Sequence, residues 1–93
     1  FAAAVRELEF AISLRPDAAY LRVRIGRVFA AQNRLREAVD AFRYAVRLDP
    51  EFAEAHLNLS QALEELGDRA EASYHFHEAT RLKYQQSQLS TRE

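Results

Sequence analysis

The sequence repeats at an interval of 34 residues, and this register limits the possible folds more than any other feature. Shifting the chain by that interval superposes identical residues. Among these pairs are Pro16 and Pro50, Ala19 and Ala53, Glu37 and Glu71, Ala38 and Ala72, Phe42 and Phe76, Ala45 and Ala79, Arg47 and Arg81, and Leu48 and Leu82. Two full units and the second half of an earlier unit share the register. Repeats of this length bury their apolar faces only by stacking on neighbours, so we expect an open array of units rather than a closed bundle.

Apolar residues within each unit recur at the spacing of one helical face. The stretch 35–48 is the clearest case, since Leu35, Val39 and Phe42 share a face that faces away from Arg36 and Asp40. The same analysis predicts five helices, at about 2–14, 18–32, 35–48, 52–66 and 69–84, with no strand. The predicted organisation is a single domain with a partial repeat at 1–18, full repeats at 19–52 and 53–86, and a polar tail at 87–93.

The helix breaks coincide with residues that interrupt or end helices. Pro16 and Pro50 each end a helix, because proline lacks an N–H group and restricts the residue before it. Asp17 is a candidate cap for the helix that follows. Asn33 and Gly67 stand at equivalent positions between the two helices of a unit, and both residue types tolerate the left-handed backbone that ends a helix.

The composition excludes several classes of protein. Apolar residues make up 48% of the chain and charged residues 29%, which is typical of a folded protein. There is no cysteine, so a disulfide framework is excluded, and the net charge of -1 provides no basic field for nucleic acid. No apolar run is long enough to cross a membrane. The chain starts at Phe1, inside a helical pattern, so we expect it to be part of a longer protein; its compartment is unknown, with the cytoplasm favoured.

The spacing that recurs in each unit resembles that of the tetratricopeptide repeat. In that family a unit carries a large residue, Leu-Gly, an aromatic residue, Ala, Phe and Pro at set intervals. The corresponding residues of the first full unit are Arg22, Ile25, Gly26, Phe29, Ala38, Phe42 and Pro50. Those of the second are His56, Leu59, Ser60, Leu63, Ala72, Phe76 and Tyr84. Because Tyr84 replaces proline, we expect the last helix to run on into the tail.

The resemblance implies a fold and a role for several positions. The fold is an all-α, right-handed solenoid of antiparallel helix pairs. Gly26 and Ser60 let the two helices of a unit approach closely, and Phe42 and Phe76 fill the seam between units. The function implied is a protein–protein interaction scaffold without catalytic activity or cofactor, which binds an extended peptide or a helix of another protein.

In this family the first helices of the units line a concave groove that holds peptides. The groove positions implied here are Tyr20, Val23, Arg24, Arg27, Glu54, Leu57, Asn58, Gln61 and Glu65. Asn58 matches a position where the family often has an asparagine that holds the ligand backbone, and an amide both donates and accepts hydrogen bonds. Arg24 is its equivalent one unit earlier, and an arginine grips a carboxylate with two parallel bonds.

Three alternatives compete with ligand binding at these positions. Arg24 and Arg27 equally suit ordinary ion pairs with glutamates of the neighbouring helix. Phe1, Val5, Leu8 and Ile12 belong to a predicted helix whose partner within the repeat is absent from this chain, which favours self-association into a homo-oligomer through open solenoid ends. The chain also fits the targeting arm of a larger enzyme whose catalytic domain lies elsewhere.

Two groups of side chains contain residue types that can form a catalytic triad or bind a metal ion. His56, Ser60 and Glu64 lie one helical turn apart, but a catalytic triad also needs an oriented base and an oxyanion hole, so we predict no catalytic residue. His75 and His77 are two positions apart on a helix and point to different faces, which disfavours a shared metal ion. We therefore predict no metal site, and expect these histidines to face solvent or pack partly.

Overall fold

A computed structural model describes the backbone of residues 1–92 and the side chains of residues 1–89. Five helices make up the described part of the chain, in the order α1 (Ala2–Leu14), α2 (Ala19–Ala31), α3 (Leu35–Leu48), α4 (Ala53–Leu66) and α5 (Arg69–Arg92). No strand occurs in these residues. The prediction of five helices is confirmed, and the ends of the first four differ from the expected ends by no more than one residue.

Neighbouring helices pack in the manner of a solenoid. α2 packs on α3 and α4 packs on α5, while α3 and α2 both contact α4 and α1 contacts α2. The stack has a core cluster of buried residues, which comprises Val23, Ala38, Val39, Phe42, Ala45, Ala55, Leu59, Ala62, Leu63 and Ala72. Because the cluster draws on both full units, the two units are joined by a shared core. The all-α solenoid predicted from the repeat is therefore confirmed.

The two helices of the first full unit come close together at Gly26. A Cβ atom added there would lie 2.5 Å from Cε1 and 2.7 Å from Cδ1 of Phe42. The Phe42 ring, which is only 2% exposed, thus occupies the space that any side chain at position 26 would need. The small residue is required by this ring, which lies on the α2 backbone and also belongs to the core shared with α4.

Both turns within units end in the left-handed conformation. Asn33 has a φ angle of 61° and Gly67 one of 90°. After α2, the N–H of Arg34 donates to the carbonyl of Phe29 at 2.8 Å, and the N–H of Asn33 donates to that of Ala30 at 2.9 Å. An equivalent pair of bonds follows α4. This Schellman arrangement satisfies the last carbonyl groups of each helix, as the residue types predicted.

Two expectations about local structure were wrong, and the end of the last helix was placed too early. Ala18, rather than Asp17, is the N-cap residue of α2, and it makes no side-chain capping bond. Phe76 does not fill a seam: it is 51% exposed, because no helix of the described residues packs against its side of α5. α5 runs to Arg92, well past position 84, which agrees with the absence of a helix-ending proline at Tyr84.

No helix among residues 1–92 is both long enough and apolar enough to cross a membrane.

Candidate peptide-binding groove

The first helices of the two full units, α2 and α4, lie side by side and turn a row of polar side chains outward. Arg24, Arg27, Glu54, Gln61 and Glu65 are all exposed. Helical geometry explains the row, since positions three and four apart share a face. The packing of α2 on α4 then brings the two rows together on one surface.

Two adjoining hollows run along this surface, and Arg27 lines both of them. The first, of about 440 Å³, is lined by Ala4, Glu7, Leu8, Arg24, Arg27 and Val28. The second, of about 320 Å³, is lined by Arg27, Ala30, Leu35, Phe42, Asn58, Gln61, Ala62 and Glu65. We refer to the two hollows together as the groove. It begins between α1 and α2 and continues between α2 and α4, with an apolar floor and charged walls.

An ion pair joins α2 to α4 at Arg27, the residue that lines both hollows. Nη1 of Arg27 lies 3.5 Å from Oε1 of Glu54, and both side chains are more than half exposed. The alternative that these arginines pair with glutamates of the neighbouring helix is therefore confirmed for Arg27. An exposed pair of this kind contributes about 0.2–1 kcal/mol, so breaking it costs little.

The two residues expected to grip a ligand differ in how far they are engaged. Nδ2 of Asn58 donates to the backbone carbonyl of Glu54, at 2.9 Å, which leaves its amide oxygen without a partner among the described residues. Arg24 is exposed and makes no hydrogen bond or ion pair within that part of the chain. Both residues therefore retain hydrogen-bonding capacity for another molecule.

Three other predicted groove residues, Val23, Leu57 and Tyr20, differ in how far they are exposed. Val23 was expected to offer apolar contact in the groove, but it is 3% exposed and belongs to the core, because α2 turns that side toward α3 and α4. Leu57 is half-buried, and the Tyr20 hydroxyl accepts a long bond of 3.4 Å from Nη1 of Arg15.

The sequence prediction also missed Glu7, which places an acid beside Arg24 and Arg27 at the mouth of the first hollow. The 34-residue register could have identified Glu7 as a residue near the groove, since α1 packs on α2 as α3 packs on α4.

A second set of polar residues, which sequence reasoning did not bring together, is buried between α4 and α5. Nδ1 of His56 lies 3.0 Å from Nδ1 of His75, and Nε2 of His56 lies 2.9 Å from the carbonyl oxygen of Pro50. A carbonyl only accepts, so Nε2 of His56 carries a proton; with His56 neutral, its Nδ1 accepts and Nδ1 of His75 donates. His75 was expected to face solvent or pack partly, but it is 8% exposed.

The histidine pair is connected to an ion pair that ties α3 to α5. Arg43 donates to Glu71 through Nη2 at 2.6 Å and Nε at 3.2 Å. These bonds hold the pKa of Glu71 below its usual value. Burial lowers the pKa of His75, and the neighbouring His56 adds to that effect, while Glu71 opposes it from 3.6 Å. The cluster joins three helices, and it appears in the fold only because positions 56 and 75 face each other.

Within the described residues, His56, Ser60 and Glu64 are not joined in the way that a catalytic triad requires. Both ring nitrogens of His56 are occupied by His75 and Pro50, and no described contact joins His56 to Ser60. Ser60 is 4% exposed at the position equivalent to Gly26, and Glu64 is exposed. Within the described residues, no three potential metal ligands are grouped together.

Comparison with known proteins identifies the same repeat. A family model described as a TPR repeat matches residues 26–67, and one described as a tetratricopeptide repeat matches residues 53–86. A peroxisomal targeting signal receptor of Candida albicans is 43% identical over 65 residues, which are 70% of this chain and 11% of the receptor. A TPR repeat-containing thioredoxin of Arabidopsis thaliana is 37% identical over 75 residues, which are 81% of this chain and 11% of that protein.

Solved structures of MamA share the fold. One crystal structure superposes with a TM-score of 0.88 at 25% identity, covering 94% of this chain and 51% of that chain. Another, at 30% identity, has a TM-score of 0.80 and covers 87% of this chain and 44% of that chain. The chain therefore spans about half of the MamA chains and about a tenth of the curated relatives.

Proposed function

The chain belongs to the tetratricopeptide repeat family, and from that premise we propose that it is a protein-interaction scaffold whose groove binds an extended peptide or a helix of a partner protein. The observation that carries the proposal is the continuity of the groove from Arg24 through Arg27 to Asn58 and Gln61. One relative is by name a receptor for a targeting signal, which supports the same kind of role.

The chemistry of the groove favours a peptide with a carboxylate. Among the described residues Arg24 has no partner, and Arg27 has only an exposed ion pair with Glu54. A carboxylate of the ligand, either a side chain or a chain terminus, replaces Glu54 and receives charge-assisted bonds from both arginines. The free amide oxygen of Asn58 accepts from a peptide N–H further along the groove, while Leu57 supplies apolar contact.

The proposal is tested by selecting peptides from a random library against the 93-residue chain and measuring the affinity of the best binder by calorimetry. An Arg24→Ala/Asn58→Ala double variant should lose at least about tenfold in affinity, since each hydrogen bond to a charged group is worth about 1.5–3 kcal/mol. Affinity should also fall with added salt, which screens the charge attraction.

The matched control is an Arg36→Ala/Gln85→Ala double variant, which removes an exposed arginine and an exposed amide outside the groove. It should bind the peptide like the parent chain. Circular dichroism should show the same helicity in both variants. If the Arg24/Asn58 variant binds as tightly as the parent, the ligand occupies another surface.

Self-association is a second candidate, because large apolar side chains are exposed on both outer helices. Phe10 and Leu14 of α1 are each 67% exposed, and Phe76 and Leu89 of α5 are 51% and 63% exposed. Apolar surface of this kind favours contact with a second copy of the chain. Sedimentation velocity over a range of concentrations tests it: a dimer that Phe76→Ser/Leu89→Ser weakens supports self-association, and a monomer at every concentration excludes it.

The chain as the targeting arm of a larger enzyme is the third candidate. It is favoured by the Arabidopsis relative, which by name is a thioredoxin that contains TPR repeats. The reading frame around the coding sequence tests it, since an adjoining catalytic domain would support the assignment and its absence would exclude it.

A further inference from the structure

A cluster of two arginines and a tyrosine lies outside the groove, between α2 and α3. Cζ of Arg22 lies 4.0 Å from the centre of the Tyr44 ring, and Cζ of Arg47 lies 5.1 Å from it. Arg22 is two positions from Arg24, which places it about 160° around the helix from that groove residue. We refer to Arg22, Tyr44 and Arg47 as the arginine–tyrosine cluster.

The cluster holds two positive charges and no negative one. Neither Arg22 nor Arg47 forms a hydrogen bond or ion pair within the described residues. The ring faces attract both cations, but the two like charges repel each other because they share one ring. An anion beside the ring would relieve this repulsion.

Arg22 also has an unmet hydrogen-bonding requirement. Its Nε is the one covered side-chain nitrogen or oxygen in the described chain that lacks a hydrogen-bond partner. Its two terminal nitrogens are likewise without partners, yet they are not fully covered. Buried polar groups are ordinarily satisfied, so the terminal nitrogens are the part of Arg22 available to a molecule from outside.

The second repeat shows which group belongs beside the equivalent arginine. Arg81 is equivalent to Arg47 and Glu78 to Tyr44 in the 34-residue register, and Nε of Arg81 donates to Oε2 of Glu78 at 2.8 Å. The first repeat has a tyrosine where the second has this carboxylate. At the position of Arg22 the second repeat has His56, which is satisfied by His75 and Pro50.

We propose that the arginine–tyrosine cluster is a second docking site, which binds a glutamate or aspartate side chain of an acidic segment in a partner protein. The incoming carboxylate accepts hydrogen bonds from the terminal nitrogens of Arg22 and from Arg47, and takes the role that Glu78 has beside Arg81. The ring of Tyr44, 37% exposed, lies within 5.1 Å of both guanidinium carbon atoms and supplies apolar contact to the methylene groups of the ligand. A partner that engages both this site and the groove is held on two sides of the solenoid.

The probe is a blocked hexaglutamate peptide, with hexaglutamine of the same length as its neutral counterpart. Nuclear magnetic resonance follows the Nε–H signals of the arginines and the ring signals of Tyr44 during titration at low salt. We expect hexaglutamate to shift the signals of Arg22, Arg47 and Tyr44, and hexaglutamine to leave them unchanged. Added salt should weaken the binding.

Matched variants separate this site from the groove. Arg47→Gln, at an exposed position where folding is not at risk, should lower hexaglutamate affinity at least about fivefold, and Arg22→Gln/Arg47→Gln at least about tenfold. Arg24→Gln/Arg27→Gln removes two groove arginines and should leave the shifts of Tyr44 in place. Circular dichroism checks that each variant keeps its helices.

Three outcomes would overturn the proposal. The first is that hexaglutamate shifts only groove signals, and the second is that Arg22→Gln/Arg47→Gln binds it like the parent chain. The third is that inorganic phosphate shifts the cluster signals while hexaglutamate at the same concentration does not, which would make the site one for phosphate instead of carboxylate. None of these outcomes would affect the groove, whose test uses a different peptide and different residues.

Discussion

Replacing Gly26 by alanine probes a close contact between α2 and α3. The added Cβ would lie 2.5, 2.7 and 3.0 Å from Cε1, Cδ1 and Cζ of Phe42. Carbon atoms in favourable contact are about 3.5–4.0 Å apart, so the ring edge has to retreat by about 1 Å. The ring is only 2% exposed and is surrounded by the core, so a retreat displaces other side chains.

Two opposing effects determine the size of the change in stability. Overpacking a core costs about 1–3 kcal/mol, whereas alanine favours a helix over glycine by about 1 kcal/mol. We expect a net loss of about 1 kcal/mol in the free energy of unfolding for Gly26→Ala. In a domain of this size such a loss lowers Tm by about 4–8 °C. Gly26→Leu adds three more carbon atoms at the same contact and should cost more.

A double-mutant cycle isolates the overpacking from the helix preference. Phe42→Leu removes Cε1 and Cζ, which are two of the three atoms that the new Cβ would meet. In that background Gly26→Ala should be less destabilising than in the parent by at least about 1 kcal/mol, within the usual range of coupling between residues in contact. Urea denaturation followed by circular dichroism measures all four free energies.

Gly67→Ala is the matched control for this cycle. Its Cβ would meet nothing within 4 Å, but its φ angle of +90° is unfavourable for alanine. The substitution should therefore cost about 1 kcal/mol through backbone strain alone, and Phe42→Leu should not change that cost. If Gly26→Ala and Phe42→Leu prove additive, or if Gly26→Ala raises stability, the close-contact explanation of Gly26 is wrong.

Two further predictions concern the core and the buried histidine. Phe42→Ala should cost about 3–5 kcal/mol, whereas Phe76→Ala, at the equivalent but 51% exposed position, should cost less than about 1 kcal/mol; similar losses by denaturation would contradict the assigned core. Because the pKa of His75 is lowered by folding, the unfolded chain binds more protons below the ordinary histidine pKa, so stability should be fully present above about pH 6.5 and fall as pH decreases from there. Thermal melts at pH 7.5 and 5.5 measure this, and His75→Gln should flatten the dependence while exposed His77→Gln should not.

Much of the fold was predictable because each repeat unit has to fit the unit that follows it. Each unit buries its apolar face on the next, so the spacing of Ala38, Phe42 and Ala45 had to serve both α2 and α4. The turn residues Asn33 and Gly67 were recognisable because the left-handed backbone admits few residue types. These features depend on local geometry and on a register that recurs along the chain.

The groove was predictable as a surface but only partly as a set of residues. The helical period places Arg24, Arg27, Asn58 and Gln61 on one side of their helices, and these residues line the two hollows. Their role in binding a ligand stays a prediction. The period alone does not decide where a helix face stops being exposed. Val23 lies next to the groove residues in sequence, but the packing of α2 against both α3 and α4 buries it.

The 34-residue repeat by itself determined the helical architecture, because helix periods and the stacking of units follow from periodicity within one unit and between successive units. The resemblance of the repeat to the tetratricopeptide family implied the close contact at Gly26 and the side of the solenoid that carries the groove. Only the tertiary structure decided the pairing of His56 with His75, the exposure of Phe76 and the unpaired arginines around Tyr44. Those features depend on which side chains meet across helices and on what covers them. Equivalent positions in the two repeats carry different residues there, so the register that predicts the backbone says nothing about the partners that each side chain finds.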